Sequence, residues 1–269
     1  FSSMDCDEIY DKDEYEFAYF DGANTDRLVE NFRNLAEEGD IGALLLVNPA
    51  NPLMYKLSEE VAKELDKIAL EHGVEIVIDE VLRGVQPIGE RDSIGRYFSR
   101  PYIIEGFSKR FGDEPTGHLA YVYVPKDNTY VLFTDEEKNC ACSEILKAAY
   151  KHSTVPAIDE LRERNGAFDR GMNDANPDVK IIRPSPTNLI TLLELPSDGS
   201  SNSCTCNFSA QAAYNGIMVA PSCTFYPSGY GPNGNRKLLR ISVGSMSGNE
   251  IYEGARILGE GIKICHNGN

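Results

Sequence analysis

Four separated segments carry the side chains best suited to chemistry: Val47-Asn48-Pro49-Ala50-Asn51-Pro52, Ile78-Asp79-Glu80-Val81-Leu82-Arg83-Gly84, Gly106-Phe107-Ser108-Lys109-Arg110-Phe111-Gly112 and Leu239-Arg240-Ile241-Ser242. A lysine amine such as Lys109 can attack a carbonyl and, once free, act as a base, and burial that lowers its pKa helps both roles. A strand-end carboxylate such as Asp79 can keep a neighbouring nitrogen protonated, and a guanidinium such as Arg240 can grip a carboxylate through two parallel bonds. Singly, each motif has an ordinary reading: a turn for Asn-Pro, a helix cap for the aspartate, a solvated surface for Ser-Lys. Their order carries the argument, with Asp79 standing about thirty residues before Lys109 and Arg240 far downstream.

The elements that must position these groups follow from apolar runs that alternate with helical patterns. Strands are expected at Tyr15 to Phe20, Ile41 to Val47, Val74 to Ile78, Tyr102 to Phe107 and Leu119 to Val124, with a helix from Ser58 to His72. In that helix Leu57, Val61, Leu65, Ile68 and Ala69 form one stripe, Ser58 is placed to cap the start and Gly73 to stop the end. Such alternation predicts an α/β architecture with a largely parallel sheet and covering helices. The helix returns the chain so that the runs ending at Val47 and Ile78 lie parallel, leaving Asn51 and Asp79 at the sheet edge where open α/β sheets bind ligands.

Residues 135 to 170 read as helix-rich and polar, ended by breaks at Asn165-Gly166 and Gly171-Met172-Asn173, so a domain change is expected near residue 175. A large domain over 1–174 would then be followed by a small α+β domain over 175–269. That second part holds apolar runs at Val179 to Ile182, Leu189 to Leu195, Gly216 to Val219 and Leu238 to Val243. A closing helix opens with the capping box Ser247-Gly248-Asn249-Glu250 and is striped by Ile251, Ala255, Leu258 and Ile262.

Composition bounds the function classes. The chain is 269 residues long, 41% hydrophobic and 25% charged, which describes a soluble globular protein able to bury a core. A formal net charge of -16, with no basic cluster, argues against nucleic acid as a partner. No apolar stretch approaches bilayer length and the acidic start lacks signal-peptide character, so a cytoplasmic protein with no membrane contact is expected. The seven cysteines do not follow a secreted disulfide framework. The close pairs Cys140/Cys142 and Cys204/Cys206 are spaced too tightly for usual zinc knuckles, so no metal is expected.

The four segments, in this order, resemble the class I/II aminotransferases, a family of fold-type I pyridoxal-phosphate enzymes, over about residues 41 to 262. The resemblance implies a pyridoxal 5'-phosphate cofactor joined to Lys109 as a Schiff base, Asp79 beside the pyridine nitrogen, and Asn51 donating to the ring oxygen. It implies Arg240 as the clamp on the substrate carboxylate, and a small-molecule amino acid and keto acid as partners. Ser108, Arg110 and His118 fall where phosphate contacts are expected. Tyr226, in Ala220-Pro221-Ser222-Cys223-Thr224-Phe225-Tyr226, resembles the loop bordering substrate. A homodimer is also implied.

The departures are specific. The family follows its Asn-Pro with Thr-Gly, where this chain has Leu53-Met54, and its tyrosine three residues after the aspartate is Leu82. Gly106 replaces a phosphate-binding serine or threonine, and the downstream arginine position holds His118 or, nearest in sequence, Arg110. Nothing in residues 1 to 40 matches the family's N-terminal phosphate loop, so the chain is expected to be a fragment of a longer protein or one half of a split one. The implied activity is amino-group transfer. A pyridoxal-phosphate decarboxylase, lyase or oxidase, or a non-catalytic descendant, remain as alternatives on the same fold.

Overall fold

The computed structural model describes residues 25–39, 41–51, 54–86, 92–106, 120–126, 158–195, 212, 216–217, 219–221, 238–244 and 246–267. Its first half is built on parallel pairing. Helix α1 (Thr25–Glu38) precedes strand β1 (Ala43–Val47), helix α2 (Glu59–His72) and strand β2 (Glu75–Asp79). Two short 3-10 turns (Arg83–Val85 and Ile94–Tyr97) lead to β3 (Pro101–Gly106) and β4 (Ala120–Tyr123). The sheet order is β1-β2-β3-β4, with the first three strands parallel and β4 antiparallel to β3.

Both ends of α2 form for the reasons its sequence gives. The Ser58 hydroxyl accepts the Val61 amide at 3.3 Å, and Gly73 takes the left-handed conformation, φ 71°, which lets its amide reach Ala69 O. The helix buries Ala62, Leu65, Ile68 and Ala69 against Leu46, Ile76 and Ile78, which the strand alternation turns to the same side. Helix α1, absent from the sequence expectations, joins this core through Leu28, Phe32 and Ala36, spaced four residues apart on one stripe. The register pairs Val47 with Asp79, so β1 and β2 end together as expected.

The second half is an antiparallel sheet covered by two helices. Helix α3 (Ile158–Ala175) leads to β5 (Lys180–Ile182), β6 (Ile190–Glu194), β7 (Ala220–Pro221), β8 (Leu238–Ser242) and helix α4 (Gly248–Asn267). The strand order is β5-β6-β8-β7. Its core gathers Leu161, Phe168 and Met172 of α3, Leu193 and Leu239 of the sheet, and Ile251, Ala255, Leu258 and Ile262 of α4. The capping box forms as the sequence predicts: Ser247 donates from its hydroxyl to Glu250 Oε2 at 2.7 Å and from its amide to the same oxygen at 2.9 Å.

One expectation needs correcting. The breaks at Asn165-Gly166 and Gly171-Met172-Asn173 do not interrupt the chain, because α3 runs through both. A glycine inside a helix costs about 1 kcal/mol relative to alanine, which packing readily offsets. At Gly171 a Cβ would stand 2.2 Å from Tyr252 O, so the missing side chain is what allows α4 to approach. Asn165 stays helical while its side-chain amide donates to Pro186 O at 2.9 Å and Asn188 O at 2.8 Å, tying α3 to the segment before β6. Helix α3 ends at Ala175, where the domain change is expected, and packs against the sheet that follows it. The strand expected at Tyr15 to Phe20 lies outside the described residues.

Candidate active site

The first group is set by a tight turn after β1. Asn48 is buried; its amide donates to Asp79 O at 2.9 Å and its Oδ1 accepts the Leu57 amide at 2.9 Å. The Asn48-Pro49 peptide is cis, and bonds from Ala50 N to Tyr55 O (2.8 Å) and from Met54 N to Ala50 O (2.6 Å) close the turn. Asn51 stands exposed at its tip. Asn48 is a residue that sequence reasoning passed over; an asparagine directly after an apolar strand and before a proline is the available signal.

Asp79, the last residue of β2, is half-buried, and its Oδ1 accepts the Val81 amide at 2.9 Å, which fixes the carboxylate against its own backbone. It pairs with Val47 on one side and Ile104 on the other, so it sits centrally at the carboxyl edge of the parallel strands. The third group comes from the other sheet. Arg240 lies in β8 between Leu192 of β6 and Ala220 of β7. Partial burial draws its guanidinium below the ordinary arginine value, while leaving it a cation under all working conditions. Its Nη1 donates to Asn51 Oδ1 at 3.4 Å, a long contact that joins residues 189 positions apart.

The structure therefore brings Asn51 and Arg240 together and places Asp79 on the strand end adjoining the Asn51 turn. Lys109, Ser108, Arg110, His118 and Tyr226 lie outside the described residues. Gly106, three positions before Lys109, ends β3 two residues beyond Ile104, which pairs with Asp79 at the end of the parallel neighbour β2. The cysteine pairs 140/142 and 204/206 also lie outside, and among the described residues no group of three or more His, Cys, Asp or Glu can hold a metal.

Two departures from the resembling family turn out to be one feature. Met54, where that family has glycine, adopts a left-handed φ of 58° and is 3% exposed. Leu82, where that family has tyrosine, is also buried, and the two share an apolar cluster with Ile190 of β6. A left-handed non-glycine residue costs about 1–2 kcal/mol, and full burial of a methionine side chain returns about 1.5–3 kcal/mol. Burial wins, and the cluster fastens the second sheet beside the Asn51 turn.

No family model and no curated protein matches the sequence. Solved structures do match. A PLP-dependent aminotransferase from Streptococcus suis shares 18% identity at a TM-score of 0.63, over 87% of this chain and 60% of that one. Cystalysin from Treponema denticola, which contains pyridoxal 5'-phosphate, shares 14% at 0.62, over 95% and 64%. An aminotransferase from Eubacterium rectale shares 17% at 0.58, over 88% and 60%. The chain has the fold of the pyridoxal-phosphate aminotransferases. It spans about 60% of the length of the aminotransferases it matches. In this aminotransferase fold the Asn51 turn touches Arg240 of β8, and Asp79 ends the strand next to that turn. Among the described residues no helix is long and apolar enough to cross a membrane.

Proposed function

We propose that this chain carries the lysine-bearing part of a pyridoxal-phosphate aminotransferase that moves an amino group between an α-amino acid and an α-keto acid. The observation that carries the reading is the reach of Arg240 from the second sheet to Asn51, at the sheet edge that holds Asp79. An amide, a guanidinium and an oriented carboxylate are a donor set that fits a pyridine ring bearing a phenolic oxygen, next to a carboxylated substrate. When bound, pyridoxal phosphate supplies an aldehyde for amine condensation and a ring that absorbs the electrons released at the α-carbon.

Each residue then has a defined task. Asp79, held by the Val81 amide, keeps a proton on the ring nitrogen. Asn51 donates its amide to the ring oxygen while its Oδ1 faces Arg240. Arg240 would grip the substrate carboxylate through two parallel bonds and so orient the α-carbon. The Lys109 amine holds the cofactor at rest and carries the α-proton during turnover. Ser108, Arg110 and His118 are assigned to the phosphate, and Tyr226 to the substrate side chain. The same reading includes a cofactor-binding domain over 1–174, a small domain over 175–269, a homodimer and a cytoplasmic location.

A second reading keeps the cofactor and changes the bond that breaks, giving a decarboxylase or a lyase. The apolar cluster favours it, because Leu82 cannot give the ring oxygen a hydroxyl donor. The test begins with a visible absorption titration of the chain with pyridoxal phosphate beside Lys109→Ala, followed by borohydride trapping and peptide mapping. The expected result is a band that is lost in the variant and a label on Lys109. A band that survives Lys109→Ala sinks the assignment. With substrate added, a new amino acid formed from the keto acid supports transfer, whereas carbon dioxide or ammonia supports the second reading.

A further inference from the structure

Directly behind Asp79 lies a buried charged cluster that the reaction does not use. Glu80 is 1% exposed; its Oε1 accepts from Ser93 Oγ and from the Ile94 amide, each at 2.9 Å, and its own amide donates to Ile104 O at 2.8 Å. Arg83 brings Nε to 3.0 Å from Glu80 Oε2 and forms an ion pair through Nη2 with Oε1 of Glu105, which is 6% exposed on β3. The register explains the meeting. Asp79 pairs with Ile104 across parallel strands, so Glu80 and Glu105 are the next residues along each.

One planar guanidinium thus spans two segments. The first begins at Asp79, and the second is strand β3, whose Glu105 stands four residues before Lys109 in sequence. A fork with fixed geometry constrains two carboxylates at once, which a single flexible ammonium does not do. Burial makes such a pair sensitive to angle and distance, in contrast to an exposed pair.

We propose that Arg83 is a positioning residue that locks the Asp79 turn and the end of β3 into one rigid unit, and so holds the Asp79 carboxylate in a fixed alignment at that sheet edge. The alignment role rests on the aminotransferase reading, whereas the locking of the two segments needs no cofactor.

The test uses the full chain and the double variant Arg83→Met with Glu105→Gln, which removes one cation and one anion and leaves Glu80 its bonds from Ser93 and Ile94. Amide hydrogen exchange is measured without cofactor. Exchange at Val81 and at Gly106 is expected to rise together by about tenfold, with α4 amides unchanged. With pyridoxal phosphate added, the pH at which the absorption band changes is expected to move by about half a unit or more, because the carboxylate no longer faces the ring nitrogen at a fixed distance. Arg83→Lys keeps the charge without the fork and gives the same paired change on a smaller scale. Unchanged exchange at either segment in both variants overturns the proposal, as does an unmoved band titration with exchange raised. A wild-type chain that forms no band overturns the alignment role by removing the reading beneath it, and the cofactor-free exchange data identify that case separately.

Discussion

Arg83, in the turn after β2 of the first sheet, and Arg183, just after β5 of the second, each face carboxylates, but they reverse which partner is hidden. Around Arg83 the acids are the buried members: the side chains of Glu80 and Glu105 are 0% and 8% exposed, against 22% for the arginine. Around Arg183 the cation is hidden at 7%, and Asp169 reaches solvent at 39%. Arg183 holds Asp169 through both terminal nitrogens, at 3.0 and 2.7 Å, and donates from Nε to Thr191 Oγ1 at 2.7 Å. Both arrangements tie distant segments. What differs is the state of the group left behind when the arginine is lost, and that group sets the cost.

The largest effect should come from Arg83→Met, which leaves two buried carboxylates without their shared cation and should destabilise the chain by about 3–5 kcal/mol in urea unfolding. Met54→Gly applies the same rule to an apolar site. It relieves about 1–2 kcal/mol of left-handed strain but empties a buried position worth about 2–5 kcal/mol, for a net loss centred on about 2 kcal/mol. Arg183→Met lets Asp169 rehydrate, so a loss of about 1–2 kcal/mol is expected. If Arg183→Met proves costlier than Arg83→Met, the comparison fails.

The smallest effect belongs to the exposed capping box. Bonds from the Ser247 hydroxyl and amide hold the Glu250 carboxyl below its ordinary value of 4.5. A depressed carboxyl contributes stability above its unfolded value and loses it as pH falls through the folded one. Ser247→Ala should therefore lower stability slightly at neutral pH, and the gap to wild type should narrow in acid, once Glu250 is protonated in both and only the hydroxyl's bond from the Glu250 amide is missing. Helical circular dichroism followed on the acid side would show this, and a difference that does not narrow as the pH falls would remove the carboxyl from the account.

Much of this was legible in the sequence where local chemistry decides the outcome. The caps of α2 and α4, the parallel pairing of β1 with β2, and the shared edge of Asn51 and Asp79 follow from side-chain period and turn residues. Continuity of α3 did not, because Gly171 reads as a breaker alone and becomes a contact site only when α4 lies against it. The Met54–Leu82 cluster was read as two separate departures, since its third member, Ile190, is more than a hundred residues away. One signal was available for the Arg83 cluster: Glu105 interrupts the apolar run from Tyr102 to Phe107, and a carboxylate in a buried strand needs a partner.

The Asn51–Arg240 contact also has a meaning in time. A ribosome adds about 5–20 residues per second, so the 189 positions between the two residues take roughly ten to forty seconds to synthesise. The turn at Asn51 emerges well before its arginine exists. Whatever order the sheets fold in, the nascent chain must carry the Asn51 turn as a waiting template, and strand β8, synthesised much later, completes the contact.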